Sequence, residues 1–147
     1  MKLNDLYEKD EYLWRQQVIG RIDRGQSIDL SSIKTLLIEM SASEHREIKS
    51  FLRTLLLHLL KYHFQPERRS RSWENTIDRC RFKVIDFIAV TPSIRQFAEQ
   101  VLAAAYSQAR TMAKKETGLP LKTFPQECRL SLNALLRLNR YKYSFPS

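Results

Sequence analysis

A chain of 147 residues, 43% of them apolar and 28% charged, can bury a core of its own without disulfide bonds or a structural metal. Its three glycines and five prolines are too few for a turn-rich β fold and favour long helices. The net charge of +9 favours an acidic or polyanionic partner. The sequence has no run of 18 apolar residues, which argues against a membrane span. We therefore expect a cytoplasmic protein that does not engage a membrane.

The first predicted helix covers about residues 10–24. Trp14, Val18 and Ile22 recur at every fourth position, so they should share one face of this helix. Gly25 is a natural stop signal, because glycine readily adopts the left-handed backbone conformation that ends many helices.

A second predicted helix covers about residues 31–40, and its apolar face consists of Ile33, Leu36, Leu37 and Met40. The next four residues, Ser41 to Glu44, match a capping box, in which the serine hydroxyl and the glutamate carboxylate accept hydrogen bonds from each other's exposed backbone N–H groups. The sequence therefore predicts that one helix ends near Met40 and that a third helix runs from about residue 44 to 62.

The third predicted helix is the expected centre of the fold. Apolar residues cover one broad face of it, and Leu57 adds an apolar group on the opposite side. A helix with apolar groups around most of its circumference is normally surrounded by other helices. We therefore predict an all-α fold, with residues 1–147 forming a single-domain bundle of five or six helices around this buried helix.

The fourth predicted helix begins with Ser72 as its N-cap and has Glu74 in its first turn. Its core stripe consists of Trp73, Ile77, Cys80, Val84, Phe87 and Ile88. Phe82 falls about 180° from that stripe on a helix with 3.6 residues per turn. Single exposed apolar residues are common, but a large aromatic on a polar face also marks partner surfaces, and Phe82 is our candidate for that role.

The fifth predicted helix begins at Thr91-Pro92, with threonine as the cap and proline at the first helical position, and runs to about Lys115 before Gly118. The prolines at positions 120 and 125 then predict an extended, irregular segment. A last helix is predicted over about residues 131–139, and the end of the chain, about residues 140–147, is expected to be loose.

Several short motifs occur together along the chain. They include His58-Leu59-Leu60-Lys61-Tyr62, Gln65-Pro66-Glu67-Arg68-Arg69, Ser72-Trp73, Glu116-Thr117-Gly118-Leu119-Pro120 and Phe124-Pro125-Gln126-Glu127-Cys128. Over nearly its whole length the chain thereby resembles the bacterial family catalogued as domain of unknown function 29. That resemblance implies a compact all-helical fold and supplies no activity, ligand or catalytic residue.

Arg53 and His58 form an Arg-x4-His pattern that resembles the motif of the HEPN ribonucleases, which are small helical dimers. In those enzymes an arginine and a histidine position the 2′-hydroxyl and the phosphate of RNA; histidine titrates near neutral pH, and arginine can bind phosphate through two parallel hydrogen bonds. Residues five apart on one helix point about 140° away from each other, so a shared site would need a second copy of the chain. The alternative is a histidine bonded to a neighbouring element and a solvated arginine.

No set of residues has the spacing of a metal or cofactor site. His58 and His63 lack a carboxylate that would complete a ligand pair, and zinc needs three or four converging ligands. Cys80 and Cys128 are far apart in sequence and are expected to be reduced thiols. The three glycines form no phosphate-binding loop. We expect no metal and no cofactor.

The excess positive charge lies toward the end of the chain, where residues 91–147 contain nine lysines and arginines against three acids. We predict a basic binding surface for a protein partner or a nucleic acid, formed by Arg68, Arg69, Arg71, Arg129, Arg137, Arg140 and Lys142. Two simpler roles stay open: charge that only keeps the protein soluble, and arginines at 68–71 that cap the last carbonyls of the third helix.

The preferred function is therefore a non-enzymatic interaction module that binds through its basic surface. The second candidate, from a different class, is a HEPN-like, metal-independent ribonuclease that acts as a homodimer. The two differ in geometry, because the nuclease requires Arg53 and His58 to meet at a symmetric cleft.

Overall fold

The computed structural model describes residues 3–137 and is all-helical over that range, as predicted. Its six α-helices are α1 (Leu3–Lys9), α2 (Glu11–Asp23), α3 (Leu30–Phe64), α4 (Arg71–Val90), α5 (Ile94–Thr117) and α6 (Leu132–Arg137). Two single-turn 3₁₀ helices, Pro66–Arg68 and Leu121–Thr123, lie in the connections that follow α3 and α5. The predicted loose end over residues 140–147 lies outside the described range.

The first of two compact units, Met1–Glu44, contains α1, α2 and the first part of α3. Its buried core is small and consists of Leu6, Trp14 and Val18. The ring of Trp14 meets the ring of Tyr7 edge-on, with the centroids 5.0 Å apart. Ile22, which was expected to continue the Trp14–Val18 stripe, is 55% exposed. At 1.5 Å per residue, α1 is only about 10 Å long and does not reach that far along α2.

The second compact unit, His45–Ser147, has its core around α3. Five α3 side chains have no exposed surface at all: Ile48, Leu52, Leu55, Leu56 and Leu60. Leu57, on the opposite side of the helix, is buried as well, which confirms the predicted central helix. The helix α5 contributes fully buried small residues to the same core, namely Ala98, Ala105, Ala109 and Ala113.

The helix α3 runs without interruption from Leu30 to Phe64, so the predicted helix end near Met40 and the capping box at Ser41–Glu44 are wrong. No glycine or proline interrupts this range. Serine within a helix costs only a few tenths of a kcal/mol relative to the best helix formers, which is too little to break it. Leu37 and Met40, predicted on a buried face, are exposed.

Two other helix boundaries differ from prediction by two residues. The N-cap of α4 is Ser70, not Ser72; its hydroxyl accepts a hydrogen bond from the Trp73 N–H at 3.2 Å. Thr91 ends α4 instead of opening α5, because its N–H donates to the Phe87 carbonyl and Ser93 is the residue that precedes α5. Gly118 ends α5 with a φ of 75°, the left-handed conformation that the sequence predicted there.

Candidate functional site

Arg53 and His58 lie on α3 but point to different neighbours. The Nη1 of Arg53 donates to the side-chain oxygen of Gln108 on α5 at 3.1 Å. On an uninterrupted helix these two positions are about 140° apart around the axis. The fold of one chain therefore does not bring the arginine and the histidine of the HEPN-like pattern to one site.

The tautomer of His58 follows from its hydrogen bond. Its Nδ1 lies 2.9 Å from the carbonyl oxygen of Thr54, and because a carbonyl can only accept, the proton is on Nδ1. Burial lowers the pKa of His58 below its usual value of 6.5, and the nearby positive charge of Lys61 acts in the same direction. The imidazole is thus held neutral near pH 7, with its Nε2 as the unprotonated nitrogen.

A polar cluster joins α3, α4 and α5 close to this histidine. The Nζ of Lys61 lies 3.7 Å from an oxygen of Glu116 and 4.8 Å from the ring centroid of Trp73. Lys61, Trp73 and Glu116 come from three separate motifs of the sequence, and the fold brings them together. The ion pair is half-exposed on the glutamate side and the ammonium lies over an aromatic face, so each contact contributes on the order of 1 kcal/mol and together they tie three helices.

The arginines that follow α3 divide into two kinds. The Nε of Arg69 donates to the Tyr62 carbonyl at 2.8 Å, and its guanidinium lies 4.3 Å from the Tyr62 ring centroid. Arg69 thus caps the last turn of α3, the structural role that the sequence left open for this group. Arg68 and Arg71 are exposed, and no partner for either is found within residues 3–137.

The irregular segment after α5 is held by two α5 side chains that the sequence did not single out for this task. Arg110 donates to the carbonyls of Leu121 and Phe124, at 3.0 and 3.1 Å. The hydroxyl of Tyr106 donates to the Pro125 carbonyl, and burial raises the pKa of Tyr106 to about 12. A proline-rich stretch leaves backbone carbonyls without helical N–H partners. This shortage of backbone donors is the sequence signal from which a role for Arg110 and Tyr106 as donors could have been predicted.

The helix α6 packs on α4 through a buried arginine. The Nε of Arg81 donates to the carbonyl of Leu135 at 3.1 Å, and the Arg81 side chain is almost completely buried. Ser131 caps the start of α6 by accepting the Ala134 N–H at 3.1 Å. These contacts fix the position of the exposed Arg137 at the end of α6.

A groove of about 410 Å³ lies where α4, α5 and α6 meet. We call it the α4–α6 groove; its lining consists of Ile85, Ile88, Arg95, Asn133, Leu136 and Arg137. Phe82, the predicted partner-surface residue, is 63% exposed one helical turn before Ile85. The lining of the groove therefore combines apolar side chains with two arginines, and an exposed aromatic ring lies one turn away on α4.

Two of the predicted basic residues, Arg71 and Arg137, lie near opposite ends of α4. Arg71 is the first residue of α4, whereas Arg137 lines the groove with Ile88, near the other end of that helix. At 1.5 Å per residue the two positions are roughly 25 Å apart along α4. Arg129 is exposed but is already engaged in an interaction within the protein. Arg140 and Lys142 lie outside the described residues.

Residues 3–137 also bear on membrane crossing and metal binding. Within this range, no helix has the length and apolar character that crossing a bilayer would require. In the same range, no three histidine, cysteine or acidic side chains come together in a way that could hold a metal ion. Cys80 is buried and Cys128 half-buried, and both are free thiols. A cytoplasmic location stays a prediction.

A family model described as Domain of unknown function DUF29 matches residues 6–141. This is the family that the short motifs indicate, so the predicted resemblance is confirmed. No curated protein and no solved structure matches the chain.

Proposed function

We propose a function for this chain from the chemistry of its surface. The chain belongs to the DUF29 family, whose function is not established. The protein is a non-enzymatic interaction module. It binds a protein or a nucleic acid through exposed arginines, and the α4–α6 groove contributes to that binding surface.

This proposal rests on one observation: the ionisable side chains in the interior make structural contacts, whereas several arginines are exposed. Lys61 joins three helices, Arg69 caps the end of α3, and the Nδ1 of His58 bonds within its own helix. In contrast, Arg68 and Arg137 are exposed at two places on the surface. Side chains that are occupied with packing are poor candidates for catalysis, whereas exposed guanidinium groups suit phosphate or carboxylate partners.

Salt dependence tests whether the surface binds a polyanion. We expect a labelled 12-nucleotide single-stranded RNA or a labelled poly-glutamate to bind at 50 mM salt and to be released as the salt concentration rises, because each neutralised charge releases a counterion. Replacing Arg68 and Arg71 with glutamine should reduce the slope of log affinity against log salt by about one unit per phosphate contact removed. The measurement is fluorescence anisotropy.

Lys34→Gln is the matched control, since it removes one exposed charge from the first compact unit and should leave the affinity unchanged. If RNA, poly-glutamate and the acidic peptide described below all fail to bind at tens of micromolar protein, the interaction-module proposal is wrong for both partner classes.

The ribonuclease candidate makes a different prediction. A HEPN-like site would need Arg53 of one copy close to His58 of another, because a single chain keeps them apart. Cleavage of single-stranded RNA without metal, lost in His58→Ala while the melting temperature holds, would replace our proposal with the nuclease. We expect no cleavage by the wild-type protein and a lower melting temperature for His58→Ala.

A further inference from the structure

The α4–α6 groove has the apolar lining that a helix-binding site needs. Ile85, Ile88 and Leu136 supply apolar surface from two helices, and the volume of about 410 Å³ has room for a few aliphatic side chains. Phe82 extends this surface by one turn of α4, since residues three apart on a helix are neighbours. An apolar strip that continues beyond the groove suits an extended partner better than a small molecule.

The lining of the groove carries positive charge. Among its six lining residues, Arg95 and Arg137 are cationic and the other four are uncharged. The Nε of Arg95 pairs with Glu99 at 3.4 Å, but both side chains are exposed, so this pair is weak. Arg137 has no acidic partner within residues 3–137. Within the described residues, the two arginines of the groove therefore have one weak acidic partner, Glu99, between them.

The ten residues that follow Arg137 in the sequence do not supply that complement either. Residues 138–147 contain Arg140 and Lys142 and no aspartate or glutamate. Their net charge of +2 has the same sign as that of Arg95 and Arg137, so they are not the charge complement of those arginines. The complementary occupant is therefore an acidic segment from another protein.

We infer that the α4–α6 groove binds an acidic amphipathic helix of a partner protein. Apolar side chains at positions i, i+3, i+4 and i+7 of that helix enter the groove between Ile85 and Leu136, and flanking carboxylates pair with Arg95 and Arg137. This inference rests on the proposed interaction function and gives the partner its chemical class.

A synthetic peptide tests the inference. The probe is a labelled 18-residue peptide with leucine at i, i+3, i+4 and i+7 and glutamate on the opposite face, and its reference is a peptide of the same composition in scrambled order. We expect the patterned peptide to bind the full chain roughly tenfold more tightly than the scrambled one, because only the patterned peptide gathers its apolar anchors on one face. Anisotropy at 50 mM salt measures both affinities.

Two pairs of variants locate the binding site. Ile85→Glu places a carboxylate in the groove and should weaken peptide binding roughly tenfold, whereas Val90→Glu, at an 84% exposed position of the same helix that does not line the groove, should have little effect. Arg137→Gln should weaken binding severalfold, and Lys34→Gln, which removes one exposed charge from the first compact unit, should not. If Ile85→Glu lowers the melting temperature, Ile85→Ser replaces it.

The outcomes separate this inference from the proposed function. Equal binding of the two peptides, or binding that ignores both Ile85→Glu and Arg137→Gln, overturns the acidic-helix inference. If single-stranded RNA responds to those two variants and the peptide does not, the groove binds nucleic acid and only the broader interaction proposal survives. If peptide, RNA and poly-glutamate all fail to bind, both proposals fall.

Discussion

His58 should make folding stability depend on pH. Burial holds its folded-state pKa below the usual 6.5, so below about pH 6.5 the unfolded chain takes up a proton that the folded chain resists. The stability that neutral His58 provides is complete above that pH and is lost as the pH falls through the lowered folded-state pKa. We expect the melting temperature of the wild type to fall more between pH 7.5 and 5 than that of His58→Gln.

Any other pH-dependent change in stability is common to both proteins, so the comparison between the two proteins is the informative quantity. Equal losses of melting temperature in wild type and His58→Gln would mean that His58 is not held neutral by the fold.

Leu59 tests the central position of α3. Its side chain is 3% exposed, so Leu59→Ala removes buried apolar contacts and leaves a cavity, which should cost about 2–5 kcal/mol. The matched control on the same helix is Leu37→Ala, at a position that is 57% exposed and should change stability by less than about 0.5 kcal/mol. Chemical denaturation measures both; a Leu59→Ala protein as stable as Leu37→Ala would contradict the buried central helix.

At the residue scale, burial was more predictable from sequence than hydrogen-bond partners. The apolar pattern of α3 was enough to place Leu56 and Leu59 in the core, and the position of Phe82 opposite the α4 core stripe predicted its exposure. The tasks of Arg69 and Arg110 were not predictable in this way. Both bind carbonyl groups of distant or irregular backbone, and side-chain periodicity carries no information about those acceptors.

At the element scale, the start of α4 is decided by a single hydroxyl. Ser70 caps the helix through the Trp73 N–H, so Ser70→Ala should cost about 1 kcal/mol. Ser72 lies inside the first turn, so Ser72→Ala should be neutral or slightly stabilising, because alanine has the higher helix propensity. Denaturant melts of the two single variants check this order; a larger loss for Ser72→Ala would restore the boundary predicted from sequence.

Helix boundaries were the least predictable part of the elements. Ser70 and Ser72 are two residues apart, and both are suitable capping residues, so local sequence alone does not choose between them. At Ser41–Glu44 the capping pattern is present in sequence but lies inside α3. A capping motif needs the chain to leave the helix before it, and nothing in residues 30–64 forces that departure.

At the scale of the whole molecule, the two compact units differ in the size of their cores. Among the described residues, the first unit, Met1–Glu44, has a core of three buried apolar residues. The core of the second unit is much larger and consists mainly of buried residues from α3, α4, α5 and α6. Units near 40 residues bury too little surface to be very stable. The groove and its charge pattern required the fold, because Ile85, Arg95 and Leu136 are distant in sequence and meet only when α6 packs on α4.

The placement of the two tryptophans gives each compact unit its own optical reporter. Trp14 belongs to the first unit and Trp73 to the second, so Trp73→Phe leaves tryptophan emission from Met1–Glu44 alone and Trp14→Phe leaves it from the second unit. Trp14 is 1% exposed, and its indole N–H has no hydrogen-bond partner within the described residues, so phenylalanine there removes no hydrogen bond. In a urea titration we expect the emission of Trp14 to shift to the red at lower urea than that of Trp73; coincident shifts would show that the two units unfold as one.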